Sequence, residues 1–184
     1  MTSNIKVDQV SSSNGTSAFN IDASGRMLKG TSGSLVAFHA YPTSNYTTAV
    51  GTYNVDTQAA LKYQATLCNY GNHYSTTTGR FVAPATGLYH FSNIMSINTT
   101  TAVWNYMSAE IHYWAGNTST LTRRYIGGWG NKLSATNAYS REFYSIALPL
   151  TAGDGVSGGY EAGAASLTIL SGTNQSAFSG HLIG

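Results

Sequence analysis

The chain predicts an all-β fold built from antiparallel strands. Three observations carry that prediction. Gly, Pro, Asn and Asp turn signals recur between short runs rich in Val, Ile, Thr, Tyr and Phe. Those runs alternate apolar and polar residues with the period of two that a half-buried strand requires. No stretch shows the spacing of an amphipathic helix, and there is no internal repeat, heptad tract or collagen-like glycine period.

Composition points the same way. A chain of 184 residues suits one domain with an appendage and buries roughly 70% of its unfolded surface, so its core stands without disulfides. Apolar residues make up 42% of the chain, which excludes a disordered polymer. Charged residues are only 9%, while Ser, Thr, Asn, Gly and Tyr abound. The expected surface is polar but uncharged, a kind that tolerates burial in assemblies.

Taken in order, Ile5, Val7 and Val10 form a strand-like run, Asn14-Gly15 is a hairpin turn signal, and Phe19 with Ile21 returns before Ser24-Gly25. A hairpin this small is not stable alone in water. Residues 1–32 are therefore expected to be an attachment arm, and residues 33–184 the main domain. Leu35 to Tyr41 opens that domain, and a long connection from Thr47 to Gln58 leads to a strand from Ala60 to Leu67. Thr78-Gly79 is a turn, Arg80 to Ala83 a short strand, and Pro84 with Gly87 a corner before a longer strand from Leu88.

Along that strand Tyr89, Phe91, Met95 and Ile97 share one face, and His90, Ser92 and Ser96 share the other with Leu88 and Ile94. The first face is core; the second is mixed enough to meet water, a second subunit, or both. Met107, Ala109, Ile111 and Tyr113 alternate with Ser108, Glu110, His112 and Trp114 in a further strand. Gly127-Gly128-Trp129-Gly130 reads as a loop. Phe143 to Leu150 is a strand before the Gly153-Asp154 turn, and Ala165 to Leu170 precedes the last one.

Three separated segments then carry a family resemblance. The first is Tyr74, Thr78, Gly79, Arg80, Phe81, Ala83, Pro84, Gly87, Tyr89, Phe91 and Ser92; the second runs from Leu148 through Gly153-Asp154 to Val156; the third is Ser176 to Gly184. In order and spacing the chain resembles the globular heads of complement component one q and their tumour-necrosis-factor-like relatives. The resemblance implies a ten-stranded antiparallel jelly-roll sandwich that associates as a homotrimer and that binds and assembles without doing chemistry. It places the trimer axis along strands that include the corner segment and the last strand, with Tyr74, Phe81, Tyr89, Phe91, Phe178 and Leu182 as core or axis supports. Separately, residues 5–27 resemble the short N-terminal segments of small virion proteins of tailed bacteriophages.

Chemistry is not indicated by any residue constellation. His39, His73, His90, His112 and His181 are dispersed, without the paired spacing of a zinc hydrolase. Seven carboxylates, Asp8, Asp22, Asp56, Glu110, Glu142, Asp154 and Glu161, form neither a calcium loop nor an acid pair. No nucleophile elbow of the glycine-x-serine-x-glycine kind stands at a strand-to-helix turn, and Gly127 to Gly130 lacks the Lys-Ser/Thr of a phosphate loop. The expectation is no catalytic residue, no metal and no cofactor. Cys68, the only cysteine, reads as a small buried thiol on a strand.

The basic residues are single apart from Arg123-Arg124, expected at a strand's solvent face or in a subunit contact, so no nucleic-acid stripe is formed. No apolar run approaches a membrane span, and the start from Met1 to Lys6 lacks a signal peptide's apolar core. Assembly in a bacterial host cytoplasm and residence on a virion surface are expected.

Two functions follow. In the first, the chain is a trimeric capsid decoration or cement protein whose arm, through Ile5, Val7, Val10, Phe19 and Ile21, binds the major capsid protein or another virion protein. In the second it is a tail-fibre or adhesin tip that reads a host surface glycan through Trp104, Tyr106, Tyr113, Trp114 and Trp129, aromatics being able to stack on sugar rings. The absence of a stalk or repeated shaft favours the first.

Overall fold

A computed structural model describes residues 9–11, 17–21, 27–29, 35–48, 61–99, 106–128, 138–163 and 167–183. Among them are fifteen strands, one 3-10 turn and no α-helix. The chain divides into two compact units, Met1–Val36 and Ala37–Gly184.

The first unit is a small antiparallel sheet of β1 (Gln9–Ser11), β2 (Ser17–Ile21) and β3 (Met27–Lys29), with β2 in the centre. Val10 lies opposite Phe19, so the two runs read as a hairpin do pair. The sequence reading lacked β3, whose Met27 pairs with Ile21 across the Ser24-Gly25 turn signal. Ile5 and Val7 lie outside the described residues.

The second unit is a two-layer sandwich. One layer has the strand order β11 (Arg123–Ile126), β10 (Tyr106–Trp114), β13 (Gly155–Gly163), β8 (Arg80–Val82) and β7 (Tyr74–Ser75). The other is organised around β9 (Gly87–Thr99). Along one edge of β9, β12 (Ala138–Leu150) pairs over its whole length. Along the other edge, β15 (Ala177–Leu182) takes residues 89–94 and β14 (Leu167–Ile169) takes 97 and 98. Beyond β15 come β4 (Ala37–Tyr41) and β6 (Ala65–Tyr70), and beyond β14 comes β5 (Tyr46–Thr48). Set aside the β5–β14 ribbon and the expected ten-stranded jelly roll remains, five strands to a layer.

The alternation along β9 dictates how the layers meet. Tyr89, Phe91, Met95 and Ile97 are all fully buried, while Leu88 and Ile94 on the reverse side are exposed. Phe38 of β4 stacks on Tyr74 (5.0 Å) and Phe81 (5.2 Å) and meets Phe178 edge-on (5.0 Å). Phe91 closes the cluster against Phe178 at 5.9 Å. Each of these rings contributes about 1.5–3 kcal/mol by burial. Leu182, expected with them, is only half-buried, opposite Tyr89.

The corner is held by backbone. Gly79 has φ +72°, and a Cβ there would lie 2.7 Å from the Leu61 carbonyl oxygen, so the Thr78-Gly79 turn needs glycine. After Pro84 turns the chain, Ala83 N–H donates to the Asp154 carbonyl and Gly153 N–H to the Ala83 carbonyl, both at 2.8 Å. The Asp154 carboxylate accepts from Gly116 N, Thr151 N and the Tyr113 hydroxyl. The Gly153-Asp154 signal is thus a knot that ties three loops.

Candidate association surface

The reverse side of the β9 layer is the site. Because successive strand residues face opposite ways, burying Tyr89 and Phe91 turns Leu88, His90, Ser92 and Ile94 outward. Register carries this across the layer. Phe143 lies opposite Ile94, Ser145 opposite Ser92, Ala147 opposite His90 and Pro149 opposite Leu88. On the other edge, Ser179 and His181 face Ser92 and His90, and His39 and Ala37 follow on β4.

Apolar side chains are conspicuous here. Phe143 is 71% exposed, Tyr139 70%, Leu67 62% and Tyr70 53%. Leu67 stands out where β6 bulges against β4 at His39 and Ala40. Cys68, read as buried, is only half-buried and is the register partner of His39. Burial pushes the pKa of His39 down, and its Nε2 has no hydrogen-bond partner among the described residues. At the far end Arg141 donates from Nε to Ser96 Oγ at 2.9 Å and from Nη2 to the Asn174 carbonyl at 3.0 Å. A pocket of about 270 Å³ opens beside it, lined by Tyr139 and Gln175 among others.

The other layer holds charge inside. Met107, Ala109 and Ile111 are buried as their alternation predicts, but so are Ser108, Glu110, His112 and Trp114. Arg124, register partner of His112, donates from Nε to Glu110 Oε2 at 2.9 Å and from Nη2 to both Glu110 and Glu161. His112 Nε2 lies 2.7 Å from Glu110 Oε2. Burial raises the Glu110 pKa, yet the hydrogen bonds and charges of His112 and Arg124 outweigh it and hold the carboxyl below its ordinary value. Burial opposes the charge on Arg124 too, and the two glutamates more than offset that. Arg124 is therefore a half-buried ion-pair residue, whereas Arg123 is exposed, as expected at a solvent face.

Of the predicted glycan readers, Tyr113 and Trp114 are the two whose side chains are described. Trp114 is fully buried beneath the Arg80 guanidinium, 3.8 Å from its ring, so no sugar can stack on it. Tyr113 is half-buried, with its hydroxyl committed to Asp154. Trp104 and Trp129 lie outside the described residues, and of Tyr106 only the backbone is described. Among the described residues no group of three His, Cys, Asp or Glu side chains is arranged to hold a metal ion, and no helix is long and apolar enough to cross a membrane.

The C1q domain model matches residues 37–183. No curated protein matches. Among solved structures, the Eiger TNF of S. frugiperda is similar at 13% identity, covering 82% of this chain and 94% of that one, with a TM-score of 0.58. The globular domain of the zebrafish complement 1qA protein is similar at 14% identity, covering 81% and 98%, with a TM-score of 0.53. Murine APRIL at pH 8.5 is similar at 11% identity, covering 81% and 99%, again at 0.53.

Proposed function

The chain belongs to the C1q domain family, and from that premise we propose that it is a non-catalytic structural protein of a bacteriophage virion, a homotrimeric capsid decoration protein. The observation that carries self-association is the outward side of the β9 layer, where Phe143, Tyr139, Leu67 and Leu88 present apolar surface to solvent. A soluble chain seldom leaves such a patch uncovered. A second copy with the same patch is the simplest cover, and cyclic assembly of identical chains closes it.

The N-terminal unit is the proposed grip on the shell. It forms a sheet of its own, separate from the jelly roll, and residues 5–27 resemble phage virion segments. Val10, Phe19 and Ile21, with Ile5 and Val7, would each add at most about 1.5–3 kcal/mol of apolar contact with the major capsid protein. Three arms on one trimer would then release slowly even where one arm is weak.

Electron microscopy of purified particles from the source tests the assignment. Trimers on the capsid lattice with residues 1–32 against shell subunits are expected. Density confined to tail or fibre ends would transfer the protein to host recognition, and absence from every particle would overturn the virion role.

A further inference from the structure

We propose that self-association through the outward side of the β9 layer is gated by protonation: the assembly forms while His90, His181 and His39 are neutral and separates when these imidazoles take up protons. The inference rests on the reading that a second copy covers that side. His90 and His181 are direct register partners across β9 and β15, with ring centroids 5.4 Å apart. His39 follows on β4 as the register partner of Ser179, two residues before His181. Three of the chain's five histidines therefore gather on one side of one sheet.

No anion stands with them among the described residues of that side. In the strands of this layer the one carboxylate is Glu142 of β12. It is the register partner of the buried Met95 and so shares the core-facing side. The outward titratable groups on the neighbouring strands are Tyr139 and Arg141 on β12, Tyr41 on β4, and Cys68 and Tyr70 on β6. The guanidinium adds positive charge, and thiols and phenols are ordinarily uncharged at mildly acid pH. Ser145 Oγ, 2.7 Å from His90 Nε2, is a neutral hydroxyl that supplies no countercharge.

Proton uptake and covering of this side therefore compete. In the separate chain His181 is exposed and His90 half-buried, so water solvates both rings as cations. A second copy with the same patch removes that water and brings further imidazoles but no carboxylate, and imidazolium rings so close together repel each other. His39 shows the effect within one chain: burial pushes its pKa down, and its Nε2 has no hydrogen-bond partner among the described residues. The assembly thus binds fewer protons than its separated chains. By linkage, association is strongest above the imidazole range and weakens as pH falls through about 6.5.

The test is sedimentation equilibrium of the untagged full-length chain under reducing conditions, at pH 7.5 and pH 5.5 and constant ionic strength, with circular dichroism confirming the fold at both. The expected result is a trimer at pH 7.5 whose association constant falls at least about a hundredfold at pH 5.5. The double variant His90→Gln/His181→Gln, whose amides do not titrate in this range, should assemble with most of that dependence gone. His73→Gln, which removes a histidine elsewhere, should keep it. A wild-type trimer with the same association constant at both pH values would overturn the proposal and leave self-association standing, and this outcome is read without any variant. A folded double variant that keeps the full pH dependence would overturn it as well. A wild type that is monomeric at pH 7.5 would overturn the self-association reading and this inference with it.

Discussion

Asn93 reaches from β9 across the sandwich and donates from Nδ2 to the backbone carbonyl of Glu110 at 2.9 Å. The same amide nitrogen donates to the Gly159 carbonyl at 2.8 Å, and Asn93 Oδ1 accepts from the Tyr63 hydroxyl at 3.3 Å. One fully buried side chain therefore bonds both β10 and β13, which lie opposite each other at Glu110 and Gly159.

Replacing that amide should be costly, and the polarity of the replacement matters. Asn93→Asp keeps the shape but turns a two-proton donor into a carboxylate facing two carbonyl oxygens. Loss of at least about 3 kcal/mol is expected, because the oxygen that replaces Nδ2 faces two carbonyls with no donor, and a buried charge so placed is worse than a lost neutral bond. Asn93→Ala should lose about 1–3 kcal/mol. Urea unfolding of both variants checks the order, and equal stability would refute the bridging role.

Asn93 also shows what was legible in the chain. The core of β9 was, because Tyr89, Phe91, Met95 and Ile97 repeat every second residue and burial reads that period directly. The Thr78-Gly79 turn and the Gly153-Asp154 knot were legible because each needs a particular residue. The ion-pair cluster was not. Glu110, Arg124 and Glu161 are far apart in sequence and meet only through the antiparallel registers of β10 with β11 and β13. Nor was the exposed half of β12, which begins at Ala138, five residues before the Phe143 start that the sequence reading gives it. Extending the period of two backward through Arg141 to Tyr139 would have found it.

The buried cluster predicts an acid-sensitive domain. Glu110 has its folded pKa held below the ordinary 4.5, so the unfolded chain binds the proton more readily. Its contribution to stability is complete above that ordinary value and disappears as pH falls through the lowered folded one. Glu110→Gln should be less stable than wild type at pH 7, and the gap should narrow below about pH 4. Arg124→Ala, which strips the carboxylate of its guanidinium partner, should cost about 3–5 kcal/mol at neutral pH. Urea midpoints at pH 7 and pH 3 measure both effects, and a Glu110→Gln gap independent of pH would refute the ionised network.

The aromatic core predicts intolerance in both directions. Phe178 is fully buried between Phe38 and Phe91, so Phe178→Ala should cost about 3–5 kcal/mol. Its neighbour Gly180 is small because there is no room: a Cβ there would lie 2.5 Å from the Phe91 ring and 2.9 Å from that of Phe38. Rings packed on both sides cannot yield easily, and Gly180→Ala should cost about 1–3 kcal/mol by overpacking. Thermal unfolding of the two variants distinguishes these mechanisms from surface effects, since a melting point equal to wild type would contradict either.

The outward side of the β9 layer predicts that association and folding separate. Phe143 is 71% exposed and faces Ile94 across the β9–β12 pair, so its ring contributes little to the isolated sandwich. Phe143→Asp should leave the unfolding free energy within about 0.5 kcal/mol of wild type when both are compared as monomers. If the patch is covered by a second copy, the same change places a charge in an apolar contact and should abolish assembly. Light scattering after size-exclusion chromatography reads this directly. Wild type is expected at three times the chain mass of 19.5 kDa and Phe143→Asp at the chain mass itself. A trimer that survives the substitution would move the interface off this face, and a wild type that is monomeric at high concentration would remove self-association from the proposed function.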